Sequence, residues 1–314
     1  MQYLIPFASV GSDACDLTWQ GLQLPHFHKL MQRMALHSQD MGDEYTLSPP
    51  HERVLAQSLG LWTGDGKIPW AAHNLSATPS ATGYQAGQAW AQITPCFWHV
   101  GTDQVQMLHP DALQLTETES RAVLAIMQPY FAEDGITLHY GAPTRWYAQS
   151  PLFGGLATAS LDRVVGRNVN AWMPEGAQAA PLRRLQNEMQ MLLYTHALND
   201  RRLAAGQLAV NSFWASGSGA LATAPAQVAE LMVLDALRTP ALHEDWAAWG
   251  SAWQHWDSSI FKDLCAKAWR GEQVNITLCG ERAAQHWQSF TPSLGQRFTS
   301  LLGSKPNKYE RKKL

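Results

Sequence analysis

Leu198–Gly219, LNDRRLAAGQLAVNSFWASGSG, decides how the rest of the chain is read. A helix-like start runs into a polar corner at Asn199–Gly206. An apolar alternating stretch, Gln207–Ala215, follows, and small residues at Ser216–Gly219 close it. The expected order is helix, corner, strand, tight turn. Such a corner delivers side chains and backbone amides to one end of a sheet, where α/β proteins place their sites.

Upstream, Leu182–Leu198 carries Leu185, Met189, Leu192 and Leu193 on one helical face. Thr116–Phe131 is a predicted helix with Thr116 at its start and Glu119 three residues on, the capping-box signature. Between these helices lie short strand candidates at Ile136–Tyr140 and Thr144–Gln149, and Trp90–Leu108 reads as two strands joined at Gly101–Asp103. Residues 63–85 are rich in Gly, Pro, Ser, Thr and Ala and are expected to form a loop.

Towards the ends, strands and helices alternate. Tyr3–Ala8 is an apolar strand, Pro25–Met34 a helix opened by proline, and Asp43–Leu61 a Pro-Pro start, an amphipathic helix and a glycine stop. Val228–Leu237 and Trp246–Trp269 are predicted helices, and Val274–Cys279 a late buried strand. The pattern predicts an α/β protein: a mostly parallel sheet flanked by helices, carrying an inserted α+β subdomain. The expected division is a discontinuous core of 1–90 and 205–303, an insertion of 91–204, and a basic tail at 304–314 with Lys305, Lys308, Arg311, Lys312 and Lys313.

Composition narrows the function classes. With 46% apolar and 16% charged residues, 314 residues can bury a large core and do not read as disordered. A net charge of −3 and no basic face over 1–303 argue against nucleic acid as a partner. No apolar run nears the ~20 residues of a membrane helix, and Met1–Val10 does not read as a secretion signal. Cys15, Cys96, Cys265 and Cys279 form no Cys-x-x-Cys pair, so buried thiols in a reducing cytoplasm are expected. His26 and His28 face different sides of their helix and do not share a metal. Trp246, Trp249, Trp253 and Trp256 fall on one helical face, which reads as core packing ahead of a partner-binding surface.

Three stretches resemble archaeal-type cofactor-independent phosphoglycerate mutases of the alkaline-phosphatase superfamily. Ile93–Ser120 is similar to that family's strand, hairpin and helix start, Gly135–Pro151 to a following segment, and Leu185–Gly219 matches best, with Asn199, Arg202, Gly206 and Asn211 in place. The likeness covers roughly residues 1–285. From LIPFAS through DEYTLSPPHERVLAQSLGL the chain looks closer to RpfE-type regulatory proteins, which are mutase-like. The resemblance implies an alkaline-phosphatase-like core. It also implies two divalent ions, held by Asp and His, that activate a serine or threonine for phosphoryl transfer.

The residues required for that chemistry are not at the matching positions. The first strand runs into Pro6–Phe7 where the family has a metal-binding Asp. The nucleophile segment reads Pro49-Pro50-His51-Glu52-Arg53-Val54-Leu55, and neither Ser48 nor Ser58 has the right spacing. The late Asp-His motif reads Gly280-Glu281-Arg282-Ala283, and arginine, a permanent cation, does not ligate metal. Of the Ala241–Asp245 run only His243 and Asp245 could ligate, and the family's phosphate-gripping arginines are replaced at His109–Gln114 and Met173–Glu175.

The expectation is therefore a non-catalytic, mutase-like regulatory protein with no catalytic residue, metal ligand or cofactor assigned. It would bind a small phosphorylated or anionic metabolite, or a protein partner. Arginine forks and amides that would hold such a ligand are Arg167, Asn168, Asn170, Asn199, Arg201, Arg202, Asn211, Trp214, Ser216 and Ser218. The alternative is a working mutase or phosphohydrolase with ligands redrawn from Asp13, His51, His243 and Asp245.

Overall fold

Gln2–Ile5 is too short and too apolar to stand alone, and it forms a strand because partners flank it on both edges. In the computed structural model, which describes residues 1–77, 83–223 and 230–290, the strands are β1 (Gln2–Ile5), β2 (Met34–Met41), β3 (Ala89–Cys96), β4 (Trp98–Val100), β5 (Val105–Met107), β6 (Thr137–Ala142), β7 (Arg145–Gln149), β8 (Ser212–Ala220), β9 (Leu231–Val233), β10 (Asn275–Cys279) and β11 (Ala283–Ser289). The chain divides into two compact units: Met1–Glu44 with Pro49–Ser58 and Val228–Leu314, and Tyr45–Ser48 with Leu59–Gln227. The basic tail at 304–314 lies outside the described residues.

The first unit holds a five-stranded sheet in the order β2-β11-β10-β1-β9. β1 pairs in parallel with β10 and β9, whereas β10–β11 and β11–β2 are antiparallel. The protein is α/β as expected, but this sheet is mixed rather than mostly parallel. The reason is local: the turn Gly280–Arg282 is too short for a crossover, so β11 folds back as a hairpin.

One face of this sheet buries Tyr3, Ile5, Ile276, Leu278 and Trp287 against the helices Pro25–Met31 and Trp246–Trp256 and the segment Asp257–Arg270. Trp249 and Trp253 are fully buried there and Trp256 is nearly so. Trp253 packs edge-on against Trp19, Phe27 and Trp249 and stacks on Phe261. This burial removes the motive for a partner-binding tryptophan face. Each such contact adds about 0.5–1.5 kcal/mol to area burial. A π-turn at Asp257–Phe261 interrupts the helix and turns the Asp257 carboxylate onto the amides of His26 and Phe27, capping the helix Pro25–Met31.

The second unit holds an antiparallel sheet, β6-β7-β3-β8, and a β4–β5 hairpin closed at Gly101–Gln104. The helices Glu117–Glu133 and Ala180–Tyr194 cover one face, with Val123, Met127, Phe131, Leu182, Leu185, Met189 and Leu193 over Ile93, Trp146 and Phe213. Thr116 and Glu119 close both arms of the capping box.

Several expected elements differ. The helix expected at Leu182–Leu198 breaks at Thr195–His196 and restarts as Ala197–Ala204. β8 begins at Ser212, and Ser216–Gly219 lies inside it rather than in a turn, because Gly217 and Gly219 let it pass close to Trp70 and Pro69. The loop expected at 63–85 contains the helix Trp70–Ser76. Within the helix expected at Val228–Leu237, Leu231–Val233 is instead an edge strand that completes β1, and residues 228–229 lie outside the described residues.

Candidate functional site

Asn199 begins the polar corner. Its amide donates to the carbonyls of Leu193 and Val210, both at 2.8 Å, and its Oδ1 accepts from Val210 N at 2.9 Å. The side chain thus replaces backbone pairing where helix gives way to strand, and it is 2% exposed. Arg202, one turn on, is equally buried. It donates through Nε to Leu208 O at 2.9 Å, through Nη1 to Glu119 at 2.6 Å, and through Nη2 to Leu113 O.

Desolvation works to raise the pKa of Glu119. Hydrogen bonds from the Thr116 backbone and hydroxyl, and the charge and donor of Arg202, outweigh it, so the net shift is downward. Asn211, just before β8, likewise stands in for backbone pairing, accepting from Trp98 N at 2.7 Å and donating to Trp98 O at 2.9 Å.

The other expected ligand residues divide into two groups. Asn168 caps Asn170 N at 3.1 Å and bridges to Gln106, which pins the 166–170 loop to β5. Arg167 in that loop is half-buried, its guanidinium 6.0 Å from the Trp172 ring, and Asn170 is exposed. Trp214 on β8 donates its indole N–H to Ala159 O at 3.0 Å. Further along β8, Ser216 is buried, and the Ser218 hydroxyl donates to Leu156 O and lies 3.0 Å from the Thr158 hydroxyl. Arg201 is exposed on the helix Ala197–Ala204.

Ser218 and Gly219 also line a hollow of about 280 Å3 within the second unit, together with Thr63, Lys67, Gly154 and Gly155. Glycine walls let a ligand approach the backbone closely. Lys67 is exposed and forms no ion pair among the described residues. The sequence reading missed Lys67; the available signal was a single cation inside a Gly/Pro-rich stretch.

At the carboxyl end of β1 in the first unit, Phe7 takes a left-handed backbone (φ 54°) that non-glycine residues seldom adopt. Its ring centroid lies 5.2 Å from that of His51, and its carbonyl accepts from the Trp249 indole at 3.0 Å. Arg53, 4% exposed, donates to Asp40 at 2.6 Å and to Arg282 O at 3.2 Å. Burial drives the neighbouring Cys279 thiol far above its ordinary value.

Beside this corner is a cleft of about 500 Å3 whose walls include Ser9, Asp13, Asp16, Glu281 and Arg282. Three carboxylates against one guanidinium give it the wrong sign for a phosphate. Of the remaining alternative ligands, Asp245 caps Ala248 N at 2.9 Å and the His243 ring sits 2.9 Å from Thr239 O.

No family model matches the chain, and no curated protein matches it. Among solved structures it is similar to a cofactor-independent phosphoglycerate mutase from Thermoplasma acidophilum DSM 1728, with 10% identity over 96% of this chain and 95% of that one and a TM-score of 0.38. It is also similar to the PH0037 protein from Pyrococcus horikoshii, with 11% identity over 92% and 87% and a TM-score of 0.35. Both likenesses are too distant to assign chemistry. Among the described residues, no helix is long and apolar enough to cross a membrane.

Proposed function

We propose that the chain is a phosphoglycerate-mutase-like protein of the RpfE-type regulatory kind, that it does not carry out phosphoryl transfer, and that it acts by binding a small anionic metabolite in the cytoplasm. The observation that carries this reading is the corner after β1. Where the resemblance calls for an Asp that holds a cation, Phe7 packs on His51 and hands its carbonyl to Trp249. A two-metal mechanism needs anionic or imidazole ligands around an activated hydroxyl; the phenyl ring of Phe7 supplies neither, and the imidazole at this corner, His51, packs on that ring.

The ligand reading is narrowed by what each side chain already does. Asn199, Arg202, Asn211, Trp214 and Ser218 spend their polar atoms on the scaffold. Arg167, Asn168, Asn170 and Arg201 keep some exposure. The hollow beside Lys67 supports an anion site best, since it joins a lysine ammonium to glycine-lined backbone.

The test pairs two assays on the full chain. Incubation with 3-phosphoglycerate or a generic phosphate ester plus Mn2+, Mg2+ or Zn2+ should give no metal-dependent turnover. Calorimetry with 3-phosphoglycerate should show binding that Lys67→Ala weakens without altering the melting temperature. Metal-dependent turnover would refute the non-catalytic reading, and unchanged binding in the Lys67 variant would refute the placement of the ligand.

A further inference from the structure

The ladder between β2 and β11 slips between His286 and Trp287: His286 lies opposite Ser38, and Trp287 lies opposite Leu36. His37 is therefore the extra residue of a bulge, the device by which a strand re-aims a side chain. In a regular ladder His37 would face away from its neighbour's partner. Here its ring meets that of His286 at a centroid separation of 5.5 Å and an interplanar angle of 82°.

That separation can be compared with two imidazoles on one tetrahedral ion. A zinc–nitrogen bond of about 2.0–2.1 Å, plus roughly 1.1 Å from nitrogen to ring centre, puts each centroid about 3.2 Å from the ion, and an angle of about 109° then separates the centroids by about 5.2 Å. The observed spacing is within a few tenths of an ångström of this value. Nothing in such a site requires the rings to be parallel.

The surroundings of His286 suit a ligand. Its Nδ1 lies 3.0 Å from the Thr277 hydroxyl, which accepts from Gln2 Nε2 at 3.0 Å. Thr277 is 1% exposed, so the anchor is fixed. With Nδ1–H donated to Thr277, the Nε2 lone pair is left for an ion, the outer-sphere arrangement found on ligating histidines. His37 is exposed, and its ring nitrogens make no hydrogen bond among the described residues.

We propose that His37 and His286 form a binding site for one borderline first-row cation of the zinc class, with water completing the coordination shell. The ion fastens the outermost strand of the first unit's sheet to its neighbour. Imidazole ligands select zinc, copper or nickel over magnesium. The site is independent of the anion-binding reading above.

The test is a Zn2+ titration of the full chain at neutral pH, read by calorimetry and by imidazole nitrogen NMR. His37 and His286 are expected to respond together, at the same zinc concentration, and Mg2+ to leave both unmoved. His37→Ala should abolish that event while the metal-free melting curve stays unchanged, because the residue is exposed. Thr277→Val should weaken it about tenfold or more. Zinc bound elsewhere remains in both wild type and His37→Ala, so their difference isolates this site. The proposal is overturned if His37→Ala takes up zinc as the wild type does, if the two rings respond at different concentrations, or if neither responds.

Discussion

Replacing Arg202 with methionine separates a structural arginine from a ligand-gripping one. Methionine keeps much of the stem's packing and removes the guanidinium. The buried carbonyl of Leu113 and the part-buried carbonyl of Leu208 lose their donor, at about 1–3 kcal/mol for the first and about 1 kcal/mol for the second. Glu119 is 27% exposed, so loss of its ion pair is softened by solvent and adds at most about 1 kcal/mol. The expected loss is about 2–5 kcal/mol. For a unit of this size, at about 2–4 °C per kcal/mol, that corresponds to roughly 4–20 °C in melting temperature.

The pH dependence supplies a second signature. The folded protein holds the Glu119 carboxyl below its ordinary value, so the unfolded chain takes up that proton at the higher pH. The contribution is complete above the ordinary glutamate value of about 4.3 and is lost as pH falls through the lower folded value. Chemical denaturation at neutral pH and in mild acid should therefore show the gap between wild type and Arg202→Met narrowing with acidity. The hydrogen bonds lost to the Leu208 and Leu113 carbonyls do not titrate, so the gap should not close. Arg201→Met, at an exposed position, should stay within about 0.5 kcal/mol. A loss below 1 kcal/mol for Arg202→Met, with weakened anion binding, would refute the structural assignment.

Two further outcomes follow from local geometry. Gly217→Ala would place a methyl 2.9 Å from Trp70 Cβ at a φ of +60°, and should destabilise by about 1–3 kcal/mol in a thermal melt. Cys96 and Cys279 are fully buried with thiol pKa values raised by desolvation; thiol-reactive dyes should label them only at the rate of unfolding, and rapid labelling of the native protein would contradict their burial.

The sequence was most legible where one local rule acts alone. The Thr116–Glu119 box needs four consecutive residues, and the tryptophan face at 246–256 needs only helical spacing; both are present. β2 and β11 were illegible for the opposite reason. MALHSQDM has no clean alternation and is exposed on both faces, so only tertiary pairing makes it a strand. The site residues fared similarly. Asn199, Arg202 and Asn211 read as arginine forks and amides suited to a ligand, yet they serve backbone groups whose partners lie up to 113 positions away in sequence. Composition does not reveal which of two polar partners, chain or ligand, an amide will meet. The His37–His286 pair depends on a one-residue bulge, a register detail absent from either strand's own sequence.

The placement of β1 bears on how the protein is made. Its neighbours, Leu231–Val233 and Asn275–Cys279, belong to the last third of the chain. During translation β1 emerges long before its partners and has no ladder partner until Leu231–Val233, which follows soon after Ala220 has completed the four-stranded sheet of the other unit. Pairings this remote in sequence are slow to close, and an unsheltered apolar strand is open to misassociation in the meantime. Folding therefore runs against chain order: the sheet β6-β7-β3-β8 can settle early, and β1, which precedes it in the sequence, is among the last strands to find its place.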